Sequence, residues 1–283
     1  MSAELVKQLR EITGAGIMEC KKALEESAYD IDKAIDVLKQ KGIVKAAKKA
    51  DRSTSEGRIG IALSADRKSL AYISLSCETD FVAKNSEFVA LADKVAKIAL
   101  DGNIVDLNKL LSAKTSDGTV DEVIKAAIAK IGENIKCDDV KIVTAEKGIL
   151  EYYAHLGSKL IVIMEIKGDE SKKDGLVKLA HELSLQIAMD NPEYVNRDQV
   201  PSDIVDREKN NLMQTPEIQS KPEGVRAKVI EGKLVAFFET CCLLDLPYIR
   251  EQKKRVSEVV AETSKEIGSP IEIVSFKRVS IGK

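Results

Sequence analysis

A chain of 283 residues exceeds a typical single domain and predicts two or three units, at least one with a sizeable core. Hydrophobic residues make up 44% and charged residues 32%, with no Trp and 4% aromatics; this excludes a disordered or fibrous chain and fits a helix-rich protein with solvated, mixed-sign surfaces. The 44 basic and 46 acidic residues give a formal net charge of −2, so no global field holds the chain on nucleic acid or an anionic membrane.

The segment Met1 to Lys7 lacks a basic stretch followed by an apolar run, and apolar runs elsewhere fall far short of ~18 residues, so a cytoplasmic protein without signal peptide is expected. Cys20, Cys77, Cys137, Cys241 and Cys242 are scattered with no C-x-x-C pair, which fits a reducing compartment. Three short helical patterns open the chain. Leu5, Leu9 and Ile12 share one face, Ile17, Cys20 and Leu24 a second, and Ile31, Ala34, Ile35 and Leu38 a third that ends near Gly42. Together they predict a three-helix mini-domain near the lower size limit for folding alone.

From Ile43 to Glu56 the chain is polar and lysine-rich and reads as a helical or partly ordered linker. Ile59 to Leu63 and Leu70 to Leu75, separated by Ser64 to Lys68, read as a β-hairpin. An amphipathic helix follows, capped by Asn85 or Ser86, with Phe88, Leu91, Val95 and Ile98 on one face. A similar order recurs: Val140 to Thr144, Leu150 to Ala154 and Leu160 to Ile166 read as strands, and Leu176, Leu179, Leu183 and Ile187 mark a helix face. This suggests an internal duplication of two α+β subdomains, divided near Cys137. Ile204 to Gln214 and Gly224 to Thr240 are helical stretches separated by Pro216 and Pro222, which predicts an antiparallel helical hairpin projecting as a coiled-coil arm. A helix carrying Val256, Val259 and Val260 and a strand from Ile271 to Phe276 close the chain.

Phosphate-binding loops, dinucleotide fingerprints, zinc-protease motifs, nucleophile elbows and the kinase set are all absent, so no cofactor or metal site is expected. His155 and His181 are the only histidines, and a Cys77–His155 thiol pair competes with a buried, inert cysteine, the commoner role. Cys77 to Asn85 is the most unusual stretch, since it leaves a strand and sets the large apolar Phe81 beside Asp80. Patterning alone favours Thr79 or Asp80 capping a turn with Phe81 packed under the long helix; the other arrangement presents Phe81 as an anchor for a partner's pocket.

Thr79-Asp80-Phe81-Val82-Ala83-Lys84-Asn85 and the run from Leu9 to Leu24, including Thr13-Gly14-Ala15-Gly16-Ile17-Met18-Glu19-Cys20, closely resemble elongation factor Ts. Lys130-Ile131-Gly132-Glu133-Asn134-Ile135, Tyr153-Ala154-His155-Leu156-Gly157, Met189-Asp190-Asn191-Pro192 and Val229 to Leu234 follow in the family's order, so the resemblance spans nearly the whole chain.

The resemblance implies an α+β fold: a ubiquitin-associated-like three-helix module with basic linker over 1–55, a core subdomain over 56–139, and a second over 140–283 that carries a helical hairpin at about 202–240. It further implies a non-enzymatic guanine-nucleotide exchange factor that binds elongation factor Tu in its GDP-bound and nucleotide-free forms and speeds GDP release. Thr79, Asp80, Phe81 and Val82 would disturb the partner's magnesium site, Arg10, Ile17 and Met18 would contact its nucleotide domain, and Ile131, Gly132 and His155 would receive a displaced helix. Monomer and homodimer both stay open. The competing class is an RNA-binding protein using the lysines around Lys45 to Lys49, against which the net charge of −2 and the lack of nearby aromatics count.

Overall fold

The computed structural model describes residues 2–281. Helices α1 (Ser2–Thr13), α2 (Ile17–Glu26) and α3 (Ile31–Ala47) form the N-terminal module. Leu9, Cys20, Ala23, Leu24 and Ala34 are its buried centre, with Leu5, Val6, Ile31, Ile35 and Leu38 packed around them. Spacing placed Ile12 and Ile17 with this core, but both are 57% exposed. They flank the corner between α1 and α2, outside the cluster that closes over Leu9 and Cys20.

Past a turn that ends near Arg52, β1 (Glu56–Leu63) and β2 (Ser69–Cys77) form the expected hairpin, Leu63 facing Leu70 and Glu56 facing Cys77. A four-residue helix, α4 (Asp80–Ala83), and the long α5 (Ser86–Asp101) follow. The Asn85 carboxamide oxygen accepts the Glu87 N–H and caps α5, whose Phe88, Leu91, Ala92 and Val95 are buried. Then come α6 (Leu107–Ser112), a miniature hairpin of β3 (Lys114–Thr115) and β4 (Gly118–Thr119), and α7 (Val120–Ile131), elements that sequence periodicity left unassigned. Their clearest local signal is the capping box of Thr119 and Glu122, where each side chain accepts the other's backbone N–H. Helix α3 runs five residues past Gly42, which is buried against α7, where an added Cβ would lie 3.4 Å from that of Ala129.

Strand β5 (Ile135–Thr144) completes an antiparallel sheet of order β1-β2-β5. Its residues Val140 to Thr144, which the apparent repeat grouped with the second half, pair with Ile73 through Ser69 of β2 and so lie in the first sheet.

In the second half, β6 (Ile149–His155) and β7 (Leu160–Lys167) form a hairpin, α8 (Lys173–Asp190) covers it, and α9 (Ser202–Gln214), α10 (Pro216–Gln219) and α11 (Glu223–Cys241) make the arm. The small pair β8 (Pro247–Tyr248) and β9 (Glu251–Arg255) leads to α12 (Val256–Ile267), and β10 (Glu272–Ser280) returns to give the antiparallel order β10-β7-β6. Strand β7 is buried from Leu160 to Ile166, as a strand covered on both faces must be. Val162, Met164 and Ile166 join the cluster built on Leu176, Leu183 and Ile187 of α8. The alternate residues Ile161 and Ile163 pack with Ile59, Leu70 and Tyr72 of the first sheet, so the two sheets share a core. In the arm, Val205 and Leu212 of α9 share one cluster with Ile218 of α10 and with Val229, Ile230, Leu234 and Phe238 of α11, and Pro216 starts α10 at its first position. Among the described residues no helix is long and apolar enough to cross a membrane.

Candidate functional site

The end of β2 and the turn after α7 meet and brace the Thr79–Val82 segment. The Thr79 hydroxyl oxygen accepts the Val82 N–H at 3.4 Å and caps α4. The same hydroxyl donates to one Glu133 carboxylate oxygen at 2.7 Å, and the Thr79 N–H donates to the other at 3.0 Å. One residue away on each segment, the Asn134 N–H donates to the Glu78 carboxylate at 2.6 Å. Ala83 is buried and Val82 half-buried against the first core, which pins the underside of α4.

The outer side of this turn is Phe81. It is 81% exposed, the most exposed large apolar side chain among the described residues. The buried arrangement that patterning favours is therefore not the observed one. Val82 and Ala83 already fill the space beneath a helix only four residues long, and Phe81 points the other way. Asp80 pairs with Lys84 at 2.7 Å, and the hydrogen bond to this lysine holds its carboxyl below the usual aspartate range. Lys159, in the β6–β7 hairpin, adds a smaller lowering.

Beside this turn, Ile131 packs partly against the first core, and Gly132 ends α7 with φ +94, a left-handed conformation that favours glycine. The Gly132 carbonyl accepts the ammonium of Lys49, and the Asn134 side chain donates to the carbonyls of Ala50 at 3.2 Å and Arg52 at 2.8 Å. The N-terminal module is thus tied to the Phe81 turn through the segment 131–134. Arg10 is exposed on α1 and Ile17 on α2, where Met18 beside it is 64% exposed. With Ile12 they give the module an apolar outer corner.

His155 ends β6, half-buried, its Nδ1 3.1 Å from the Tyr153 hydroxyl. Leu156 follows it at φ +49 with 70% of its surface exposed, a residue that sequence reasoning did not single out. Its signal was an apolar residue directly before Gly157, where a hairpin turn lifts the side chain off both faces of the sheet. Cys77 donates to the Thr79 carbonyl at 3.2 Å while His155 pairs with Tyr153, so each member of the alternative thiol pair has another partner. Burial pushes the Cys77 thiol up to about 11. Among the described residues no group of three or more His, Cys, Asp or Glu could hold a metal ion. Of the lysines weighed for RNA, Lys49 is engaged with Gly132, and the side chain of Lys45 lies outside the described residues.

A large aromatic held in water on a braced turn, with further exposed apolar residues on the helical module, is the build of a protein-binding surface. The family described as Elongation factor TS matches residues 78–283. Over the full chain the protein is 41% identical to an elongation factor Ts of Aquifex aeolicus, covering 98% of it, and 37% identical to that of Clostridium perfringens, covering 93%. It is also 37% identical to that of Chlorobium phaeobacteroides, covering 99%. The chain belongs to the elongation factor Ts family, which implies nucleotide exchange for elongation factor Tu in translation elongation.

Proposed function

We propose that the protein binds elongation factor Tu·GDP and inserts Phe81 beside its magnesium site, loosening the ion and the nucleotide so that GTP can load. Thr79, Asp80 and Val82 hold the wedge. Arg10, Ile17 and Met18 dock the N-terminal module on the partner's nucleotide domain, while Ile131, Gly132 and His155 receive the helix that the wedge displaces. The action is cytoplasmic, needs no cofactor and makes or breaks no covalent bond.

The observation that carries this reading is the exposure of Phe81 on a turn hydrogen-bonded from both sides. An exposed aromatic is unfavourable in free solution. Its burial, worth roughly 1.5–3 kcal/mol, becomes available only in a partner conformation that opens a pocket. Binding that conformation more tightly weakens GDP binding by the same factor, because the coupling is reciprocal. A ~10⁴-fold weakening requires about 5.5 kcal/mol of differential binding, so the module contacts and the 131–134 turn must add to the wedge.

The test is release of fluorescent GDP from a bacterial elongation factor Tu at several magnesium concentrations. The expected result is strong acceleration by the parent and loss of most of it in Phe81→Ala, with the difference shrinking as magnesium is withdrawn. A Phe81→Ala variant as fast as the parent would remove the wedge from the account.

A further inference from the structure

Thr79 sits at the N-terminus of a helix too short to be stable by itself, since α4 has four residues and isolated helices of that length do not persist in water. Something outside α4 must fix the direction in which Phe81 points. The cap bond from the Val82 N–H to the Thr79 hydroxyl is long, 3.4 Å, and a hydroxyl caps only when its own hydrogen is directed elsewhere. Glu133 supplies that direction. Its two carboxylate oxygens take the hydroxyl hydrogen and the backbone N–H of the same residue, fixing both the χ1 rotamer and the peptide plane of Thr79.

We propose that Glu133 is a positioning residue for exchange: its carboxylate sets Thr79, and through Thr79 the direction in which Phe81 is presented to the partner. The inference rests on the wedge reading of Phe81. It assigns to Glu133 no contact with the partner, so the effect of the residue must pass through Phe81. Charge-assisted bonds to a carboxylate are shorter and stronger than neutral ones, and two on one residue give a rigid hold where one would leave a rotor. Asn134 and Glu78 make the reciprocal bond one position along, which keeps the two segments together when Glu133 is altered. The loss should therefore be of aim rather than of fold.

A double-mutant cycle on the release of fluorescent GDP from a bacterial elongation factor Tu tests this, with thermal denaturation of every variant alongside. Glu133→Ala alone should slow release at saturating factor by about tenfold or more, while in the Phe81→Ala background the same change should alter the rate by less than about twofold. Glu133→Gln has an oxygen for only one of the two Thr79 donors and turns its amide N–H toward the other, so it should slow release nearly as much as Glu133→Ala, again only when Phe81 is present. If Glu133→Ala does not fold, the cycle with Glu133→Gln decides in the same way.

Equal slowing in both backgrounds would mark Glu133 as a partner contact or a general structural residue and overturn the proposal. So would a parent-like rate for Glu133→Ala where Phe81→Ala is slow, which leaves the wedge reading intact. If Phe81→Ala itself matches the parent, the wedge reading falls and the proposal with it.

Discussion

Asn134 is 1% exposed, and its carboxamide donates to the carbonyls of Ala50 and Arg52 where the chain leaves the N-terminal module. Asn134→Ala removes both donors but keeps the backbone N–H that serves Glu78. Each neutral hydrogen bond contributes about 0.5–1.5 kcal/mol net, so the pair contributes about 1–3 kcal/mol, and the small void left behind shifts the loss toward the upper end. Thermal denaturation should register this as a fall of about 2–4 °C per kcal/mol. The location is the sharper test. The amides of Lys49 and Arg52, which close the turn onto Ala46 and Lys49, should exchange with solvent faster in the variant, whereas the β2 amides should change no more than global stability requires. Unchanged melting together with unchanged protection at 49–52 would refute the idea that Asn134 fastens the module to the body.

Three further outcomes are expected. The Cys77, Cys137 and Cys242 thiols are raised by burial to about 11, about 12 and about 12, so each stays protonated in the folded chain above the pH at which it ionises in the unfolded one; their stabilisation is complete below pH 9 and is lost as pH rises toward 12. Urea denaturation at pH 8 and pH 10.5 should show a steeper alkaline loss for the parent than for a triple Ala variant at these positions, and equal losses would contradict the assignment. Gly132→Ala brings the added methyl only into ordinary contact, 3.8 Å from the Lys49 ammonium, but must hold φ +94, so denaturation should show a loss of about 1 kcal/mol from backbone strain. Arg67 pairs with the buried Glu151 carboxylate, and Arg67→Met should lose about 3–5 kcal/mol of unfolding free energy, part of which Glu151→Gln in the same chain restores.

Periodicity was informative wherever one face of an element meets a single core. The hairpin of β1 and β2 and the faces of α5 and α8 fall where apolar spacing puts them, and the arm helices break where Pro216 and Pro222 interrupt the chain. It misled at corners: Ile12 and Ile17 continue the pattern of their helices but lie past the end of the core they seem to join. Val140 to Thr144 resemble the start of a repeat, yet pairing with β2 depends on register, which local sequence does not encode. Phe81 shows the same limit at the site. Its hydrophobicity points inward, yet Val82 and Ala83 take the space below it and leave it outside. Glu133 and Asn134 were visible as part of a family motif, but their bonds to Thr79, Ala50 and Arg52 span 54 to 84 residues and became legible only in three dimensions.

Phe81 should favour the partner's nucleotide-free state, and equilibrium binding measures that preference. Calorimetry of the parent and Phe81→Ala against nucleotide-free and GDP-bound elongation factor Tu should show the variant losing about 1.5–3 kcal/mol, roughly 10- to 150-fold, with the nucleotide-free form and little with the GDP-bound form. Equal losses with both forms, or none with either, would contradict it.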